Sequence, residues 1–550
     1  MSAGPRDKAE WLDSMPDAQS YDFIIVGAGS AGCVLANRLT ESGRHRVLLL
    51  EAGPKDRNPW VHIPLGYGKL FTNTRYNWCY TTEPQPECYD RNVIAPRGKT
   101  LGGSSAINGL IYIRGQAEDF DHWRQLGNAG WSFQDVLPYF RKAENNERGA
   151  DEYHGKGGPL CVSDIRDRHP LAAAFIDAAV ECGYPRNDDF NGAAQEGAGY
   201  YQNTMRNGVR SSTAAAYLKP ARSRPNLHVV SDALATRLLF DGKRATGIEY
   251  TVGNDKRTAH ANVEVLVAGG AFNSPQLLQL SGLGPADLLR SLGIPVVADM
   301  PGVGDGLSDH YFGRLIFRCK EPITLNDTVH SWFKSARTAF EYALTRRGYL
   351  AMPAISAGCF IRALPSSATP DMQLSIALYS LQSMGSPLDP FSAVTGTCCI
   401  LRPESRGHVR IKSADPRQAP AIHPNYLAAQ RDRDALVAGA KAVRRLFQAP
   451  AMARHLVEEH EPGPACAGDD EILDFIRRRG STVYHPVSTC RMGPDDNAVV
   501  DERLKVRGFE RLRVIDASIM PTVVSGNTNA ATIMIAEKGA DLIQEDLKAA

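Results

Sequence analysis

Apolar positions in this chain switch between two rhythms. Tyr21-Asp22-Phe23-Ile24-Ile25-Val26 is a short, nearly continuous apolar run that stops at glycine, after which Val34, Leu35 and Leu39 recur at helical spacing as far as Ser42-Gly43. Short apolar runs read as buried strands and the 3.6-residue rhythm as helix, so a strand, a helix and a second strand at Val47–Leu50 are expected. Val263–Val267 and Leu512–Asp516 are further strands. After the first of these, Ser274 caps a helix with Pro275 at its first position, the usual arrangement of polar cap and proline. After the second, a helix from Ala530 to about Leu542 shows Ile533, Ile535, Ala536 and Ala540 on one face. Between about 147–201 and 312–480 the glycine clusters disappear. There Gly407–Lys412 alternates as a strand, residues 431–447 carry Leu436, Val437, Ala440 and Val443 at helical spacing, and 471–479 reads as helix.

The turn between the first strand and helix is Gly27-Ala28-Gly29-Ser30-Ala31-Gly32, and the second strand ends on Glu51. Each glycine has a job in a dinucleotide site: Gly27 turns the chain, Gly29 admits a pyrophosphate and Gly32 allows close helix–strand packing. The helix N-terminus offers free N–H groups and a positive dipole end to the phosphates. Glu51 accepts hydrogen bonds from ribose hydroxyls. The motif alone does not separate NAD from FAD. A second glycine-rich loop, Arg97 to Gly109, is interrupted by Leu101 and Ile107 and runs directly into Leu110-Ile111-Tyr112-Ile113, unlike a solvated linker.

Composition narrows the classes. The 550 residues hold 62 Lys+Arg against 61 Asp+Glu, a net charge of +1, with 43% hydrophobic residues. That is an ordinary globular balance, and it excludes a polyanion-coating protein, so no nucleic-acid partner is expected. The 11 cysteines lack C-x-x-C spacing, which argues against a disulfide framework and against a metal site. Residues 1–20 carry Asp7, Glu10, Asp13 and Asp17 without an apolar core, so no secretory signal and a cytoplasmic location are expected. No transmembrane segment is expected, and peripheral membrane contact stays open.

On these residues the chain resembles the glucose–methanol–choline (GMC) flavoprotein oxidoreductases. Gly98 to Asp121 matches that family's first signature and Gly270 to Gly284 its second. The resemblance implies an α/β chain (α+β overall). It has a Rossmann-like FAD-binding domain (20–150, 202–311 and 481–545) and an interleaved substrate-binding domain on an antiparallel sheet (151–201 and 312–480). It implies FAD contacts at Gly27, Gly29, Ser30, Ala31, Gly32, Glu51, Ala52 and Trp78. It implies others along the second loop at Arg97, Leu101, Gly102, Gly103, Ser104, Asn108 and Gly109. Further contacts are Ala235 near the adenine, Ala268, Gly269, Asp516, Ala517, Asn527 and Thr528. Some members link the flavin through a histidine in the glycine loop; the matching position here is Ile107, so dissociable, non-covalent FAD is expected.

Oxidising an alcohol removes a hydride from carbon and a proton from oxygen. The flavin takes the hydride, leaving the proton to the protein, and histidine is the usual base. The family's active-site histidine falls on His485, in Tyr484-His485-Pro486-Val487-Ser488-Thr489-Cys490, and its second position on Asn527. Asn527 also suits a helix N-cap. His62, His122, His310 and His423 are read as structural or surface residues. Tyr67, Phe71, Trp78, Trp332, Phe333 and Tyr379 are candidate pocket aromatics, and Trp332 and Glu341 candidate partners for a choline-like cation. The expected substrate is a small-molecule, primary alcohol, with choline one option. The electron acceptor is oxygen, a quinone or a carrier protein, and the lack of a secretion signal favours a dehydrogenase. Oligomeric state is not legible. Two other readings are a lyase on the same scaffold and a non-catalytic FAD-binding protein.

Overall fold

The computed structural model describes residues 18–383 and 385–549; the N-terminal segment discussed above lies outside them up to residue 17. Two seven-stranded sheets organise the chain. In the first, Leu227–Val230, Val47–Leu50, Ala18–Val26 and the end of Asp255–Val267 run parallel, with Leu512–Val514 beyond. Arg244–Val252 and Ala233–Asp241 extend it as antiparallel strands. Parallel strands are covered on both faces and so are apolar throughout. Phe23, Ile24, Ile25, Val47 and Leu49 are fully buried accordingly, and burying each such side chain contributes about 1.5–3 kcal/mol.

The helix after the glycine turn, Ser30–Thr40, packs on the C-terminal helix Thr528–Ala549. Arg38 clamps the pair by donating two 2.8 Å bonds to the fully buried Glu537. The C-terminal helix thereby holds the first glycine turn in place. The C-terminal helix is longer than its apolar face suggested.

The second sheet is antiparallel, in the order Leu456–Glu461, Tyr311–Cys319, Ala393–Ile400, Met372–Ala377, Ala357–Ile361, Gly197–Tyr200. Its outer face packs on Gln430–Gln448 and neighbouring helices through Leu315, Phe317, Leu374, Ile376, Val394 and Cys398. Alternation then turns every second residue toward the first domain. Tyr311 and Ser481–Thr482, allotted by sequence to the first domain, belong to this sheet, because Tyr311 pairs with Thr482 and Phe312 with Ser481.

Two local expectations change. The Gly407 strand ends at Arg410. The helix expected to begin at Pro275 spans Gly270–Leu280, with Pro275 inside it. Ser274 does not cap it: its hydroxyl donates to Asp516 at 2.5 Å, a stronger, charge-assisted bond. No helix among the described residues is long and apolar enough to cross a membrane.

Candidate active site

A continuous cavity of about 390 Å³ runs from the Gly27 turn and Glu51, between the domains, to His485 and the inner face of the second sheet. At its first end Gly27 has φ +99°, and a Cβ there would lie 2.5 Å from the Ala268 carbonyl oxygen. Gly103, at φ +51°, sits so close that a Cβ would meet the Gly29 Cα at 2.6 Å. Two glycine loops from distant parts of the sequence therefore touch backbone to backbone and leave the helix N-terminus facing the cavity.

Glu51 is buried, and its carboxylate accepts from the Ala28 and Gly53 N–H groups, both at 2.9 Å. Burial pushes its pKa up to about 7, against the lowering effect of those two bonds. A carboxylate has about four lone-pair positions, so it retains capacity for two ribose hydroxyls. Ala235 reaches the wall at a β-bulge between Ala235 and Arg237.

Most residues expected to touch the cofactor line this cavity: Gly27, Gly29, Ser30, Ala31, Glu51, Ala52, Trp78, Arg97, Gly103, Ser104, Asn108, Gly109, Ala235, Ala268, Gly269, Asp516, Ala517, Asn527 and Thr528. Three do not. Leu101 is buried in the core and its N–H donates to Pro54. The Gly102 N–H is spent on Ala28, at 2.7 Å. Gly32 faces Gly27, whose carbonyl oxygen a Cβ would overlap at 1.8 Å, so it serves packing. Asp516 is held by the Gly270 and Ser518 N–H groups, both at 2.8 Å, as well as by Ser274.

At the other end the backbone of His485 is clamped from two sides. Arg97 donates to the Tyr484 carbonyl at 2.6 Å, and the buried Asp309 accepts the His485 N–H at 2.8 Å. Asp309 also accepts the Tyr426 and Thr482 hydroxyls, each at 2.6 Å. Tyr484 and Ser488 on either side lie in the left-handed region, at φ +69° and +74°, a conformation that non-glycine residues hold only when surroundings impose it.

The side chain of His485 belongs to a chain of hydrogen bonds. His310 Nε2 lies 3.0 Å from the Leu401 carbonyl, His310 Nδ1 3.0 Å from His485 Nδ1, and His485 Nε2 3.1 Å from Asn527 Nδ2. A carbonyl only accepts, so His310 Nε2 carries a hydrogen. Burial holds the His310 pKa at about 4, so the ring is neutral and its Nδ1 is an acceptor. His485 must then donate from Nδ1, which leaves Nε2 with a lone pair toward the cavity. Asn527 meets that lone pair with its N–H₂ group, and its Oδ1 is buried without a partner. That orphan oxygen argues against the N-cap role, which would occupy it, and points to a donor on the ligand. Burial, then the neighbouring His310 and Arg97, lower the His485 pKa well below its usual value.

Family comparison agrees with this geometry. Residues 21–312 and 403–536 match the models of the N- and C-terminal GMC oxidoreductase domains. The chain belongs to the GMC oxidoreductases. It is 44% identical over 526 residues, 95% of each chain, to an alcohol dehydrogenase (acceptor) of Pseudomonas putida. It is 45% identical to an oxygen-dependent choline dehydrogenase of Burkholderia ambifaria, covering 96% of this chain and 94% of that one. A solved formate oxidase of Aspergillus oryzae, studied for modification of its FAD, superimposes with a TM-score of 0.91 at 27% identity, covering 97% of this chain and 100% of that one. The chain is thus an oxidoreductase of CH–OH donors with the mixed α/β GMC fold, and family and structural relatives indicate FAD as its cofactor.

Only part of the candidate aromatic set reaches the cavity wall. Tyr67, Phe71, Trp78 and Tyr379 are on it, whereas Trp332 and Phe333 stand 82% and 64% exposed on the surface helix Trp332–Thr345. Glu341 is on the same exposed helix. The aromatic spacing there is amphipathic, but its apolar side faces away from the core. Sequence reasoning placed His310 among the structural or surface histidines, whereas it is buried against His485. It also missed the inward-facing Arg314, Ser375, Thr395 and Thr397. A signal for these exists: Gln373-x-Ser375 and Thr395-x-Thr397 are polar at every second position of otherwise apolar strands.

Proposed function

We propose that this GMC oxidoreductase converts a primary alcohol to its aldehyde with non-covalent FAD, His485 Nε2 accepting the hydroxyl proton. The observation that carries the reading is the Leu401–His310–His485–Asn527 hydrogen-bond chain, which leaves one acceptor nitrogen and one orphan amide oxygen on the same cavity wall. The glycine cradle, the helix N-terminus and the spare lone pairs of Glu51 suit the pyrophosphate and ribose of FAD. FAD bound there supplies the two-electron oxidant that takes the carbinol hydride.

The chain's own residues manage the rest. The substrate hydroxyl donates to His485 Nε2 as the Asn527 N–H₂ group turns to the substrate oxygen. The proton then passes to Nε2, and Asn527 donates to the oxygen as it gains charge. His310 is a positioning residue, since it sets which nitrogen of His485 is protonated. Arg97 and Asp309 hold the backbone that carries His485. Similarity to the alcohol dehydrogenase (acceptor) of Pseudomonas putida favours a dehydrogenase using a quinone or carrier protein over an oxidase.

Anaerobic mixing of the holoenzyme with a panel of primary alcohols is expected to bleach the flavin absorbance and yield aldehyde. Proton exchange without bleaching would instead indicate a lyase, and peroxide in air an oxidase. A second expectation concerns the cofactor. Ile107 lines the cavity where a linking nucleophile would stand, and His485 is the one histidine on that wall among the described residues. Acid denaturation should therefore release all of the yellow colour into the supernatant; colour retained on the precipitate would refute this.

A further inference from the structure

Three inner strands present a polar face to the cavity. Alternation puts Phe312 and Arg314, then Ser375, then Thr395 and Thr397 on the wall, with the apolar partners behind them in the core. Arg314 pairs in register with Thr397, and Thr397 with Ser375, so a guanidinium and two hydroxyls stand in one row. Arg314 is 6% exposed. Its Nη1 donates to the Leu381 carbonyl at 3.0 Å and its Nη2 to the Gln382 carbonyl, while its Nε has no partner. A guanidinium carries five N–H donors, and carbonyls do not neutralise its charge.

No carboxylate among the described residues forms an ion pair with Arg314. Asp389 and Glu461 act on it electrostatically from greater distance. Glu461 is paired with Arg479 at 2.6 Å, and Asp389 accepts from Gln382 at 3.2 Å. Neither lies on the cavity wall, where the only carboxylates among the described residues are Glu51 and Asp516, at strand ends of the first sheet. A buried guanidinium whose nearest carboxylates, Glu461 and Asp389, act only from a distance is incompletely compensated, and the sign here is wrong for a quaternary ammonium.

We propose that the preferred alcohol carries a carboxylate remote from its hydroxyl, and that Arg314 binds this group. The assignment rests on the alcohol-oxidising reading above and deepens it by naming a hydroxy acid as the substrate class. A planar fork matched to a carboxylate is the pairing for which arginine is suited, and the Ser375 hydroxyl, which can accept the hydrogen of its 3.0 Å bond with Tyr201, offers a further donor in the row. Choline finds no anion in this half of the cavity among the described residues.

The test compares terminal hydroxyhexanoate, hexanol, aminohexanol and choline as reductants of the wild-type holoenzyme under anaerobic conditions. Hydroxyhexanoate should exceed hexanol by about 10- to 100-fold in the second-order rate of flavin reduction, the size of a charge-assisted bond. Aminohexanol and choline should fall below hexanol. In R314Q the ratio of hydroxyhexanoate to hexanol should collapse toward one, and R314K should retain part of it. Hexanoate, which cannot be oxidised, should perturb the flavin spectrum of wild type at lower concentration than that of R314Q. Equal rates for hydroxyhexanoate and hexanol in wild type, or a loss in R314Q common to every alcohol, would overturn the proposal; the second result would make Arg314 a tether of the 381–382 loop. If hexanoate binds through Arg314 but no alcohol reduces the flavin, the anion site stands and the alcohol-oxidising reading fails.

Discussion

Replacing His485 by alanine is expected to slow flavin reduction by about 10²–10⁴-fold while FAD remains bound, the cost of a lost general base. That range corresponds to about 3–5 kcal/mol of barrier. The prediction has a pH component. The base works as neutral imidazole, the form present above its folded pKa. Burial, then His310 and Arg97, lower that pKa well below 6.5. The wild-type rate should thus stay level as pH falls from about 8 through 6.5 and drop only at lower pH. Anaerobic stopped-flow absorbance across this range measures both effects. Near-wild-type reduction in His485→Ala, or a wild-type acid limb centred at 6.5, would remove His485 from the proposed role.

The second large effect belongs to a residue outside the substrate's reach. His310→Phe keeps a ring in the site but deletes the acceptor for His485 Nδ1–H. It should lower flavin reduction by about 10–100-fold, as losing the outer partner of a functional histidine commonly does. Leaving that buried N–H unpaired adds about 1–3 kcal/mol of instability. A purely structural role would stop there. Because the His310 contact bears on the His485 pKa, its removal should displace the acid limb of the rate profile. His310→Gln offers an amide N–H to Leu401 and a carbonyl oxygen to His485, and should recover most of the rate. An unchanged acid limb in His310→Phe, with no recovery by Gln, would reduce His310 to packing.

Local sequence carries local physics, and that part was readable. Gly27 and Gly29 announce a backbone that must turn and approach a ligand. The apolar run at 23–26 and the 34, 35, 39 spacing distinguish strand from helix by period alone. Glu51 follows from its place at the end of the second strand. Long signature segments carried the family, and through it His485 and Asn527. Errors clustered where a tertiary bond outbid a local one: Ser274 looks like a helix cap, yet its hydroxyl goes to Asp516, 242 residues away. Leu101 and Gly102 sit inside a cofactor loop, yet core packing and Ala28 claim them.

Sequence by itself determined the strand–turn–helix unit at the first glycine turn and the family, and through the family it proposed His485 and Asn527 as the reacting pair. These depend on backbone conformation, hydrophobic period and residue type, all written within short windows. Only the tertiary structure decided that His310 hydrogen-bonds His485 across 175 residues and so leaves Nε2 as the acceptor nitrogen. It also decided that the Trp332 helix faces solvent and that Arg314 faces the cavity. A period of two says that alternate residues share a face; which face meets the cofactor is set by the sheet packing against the other domain.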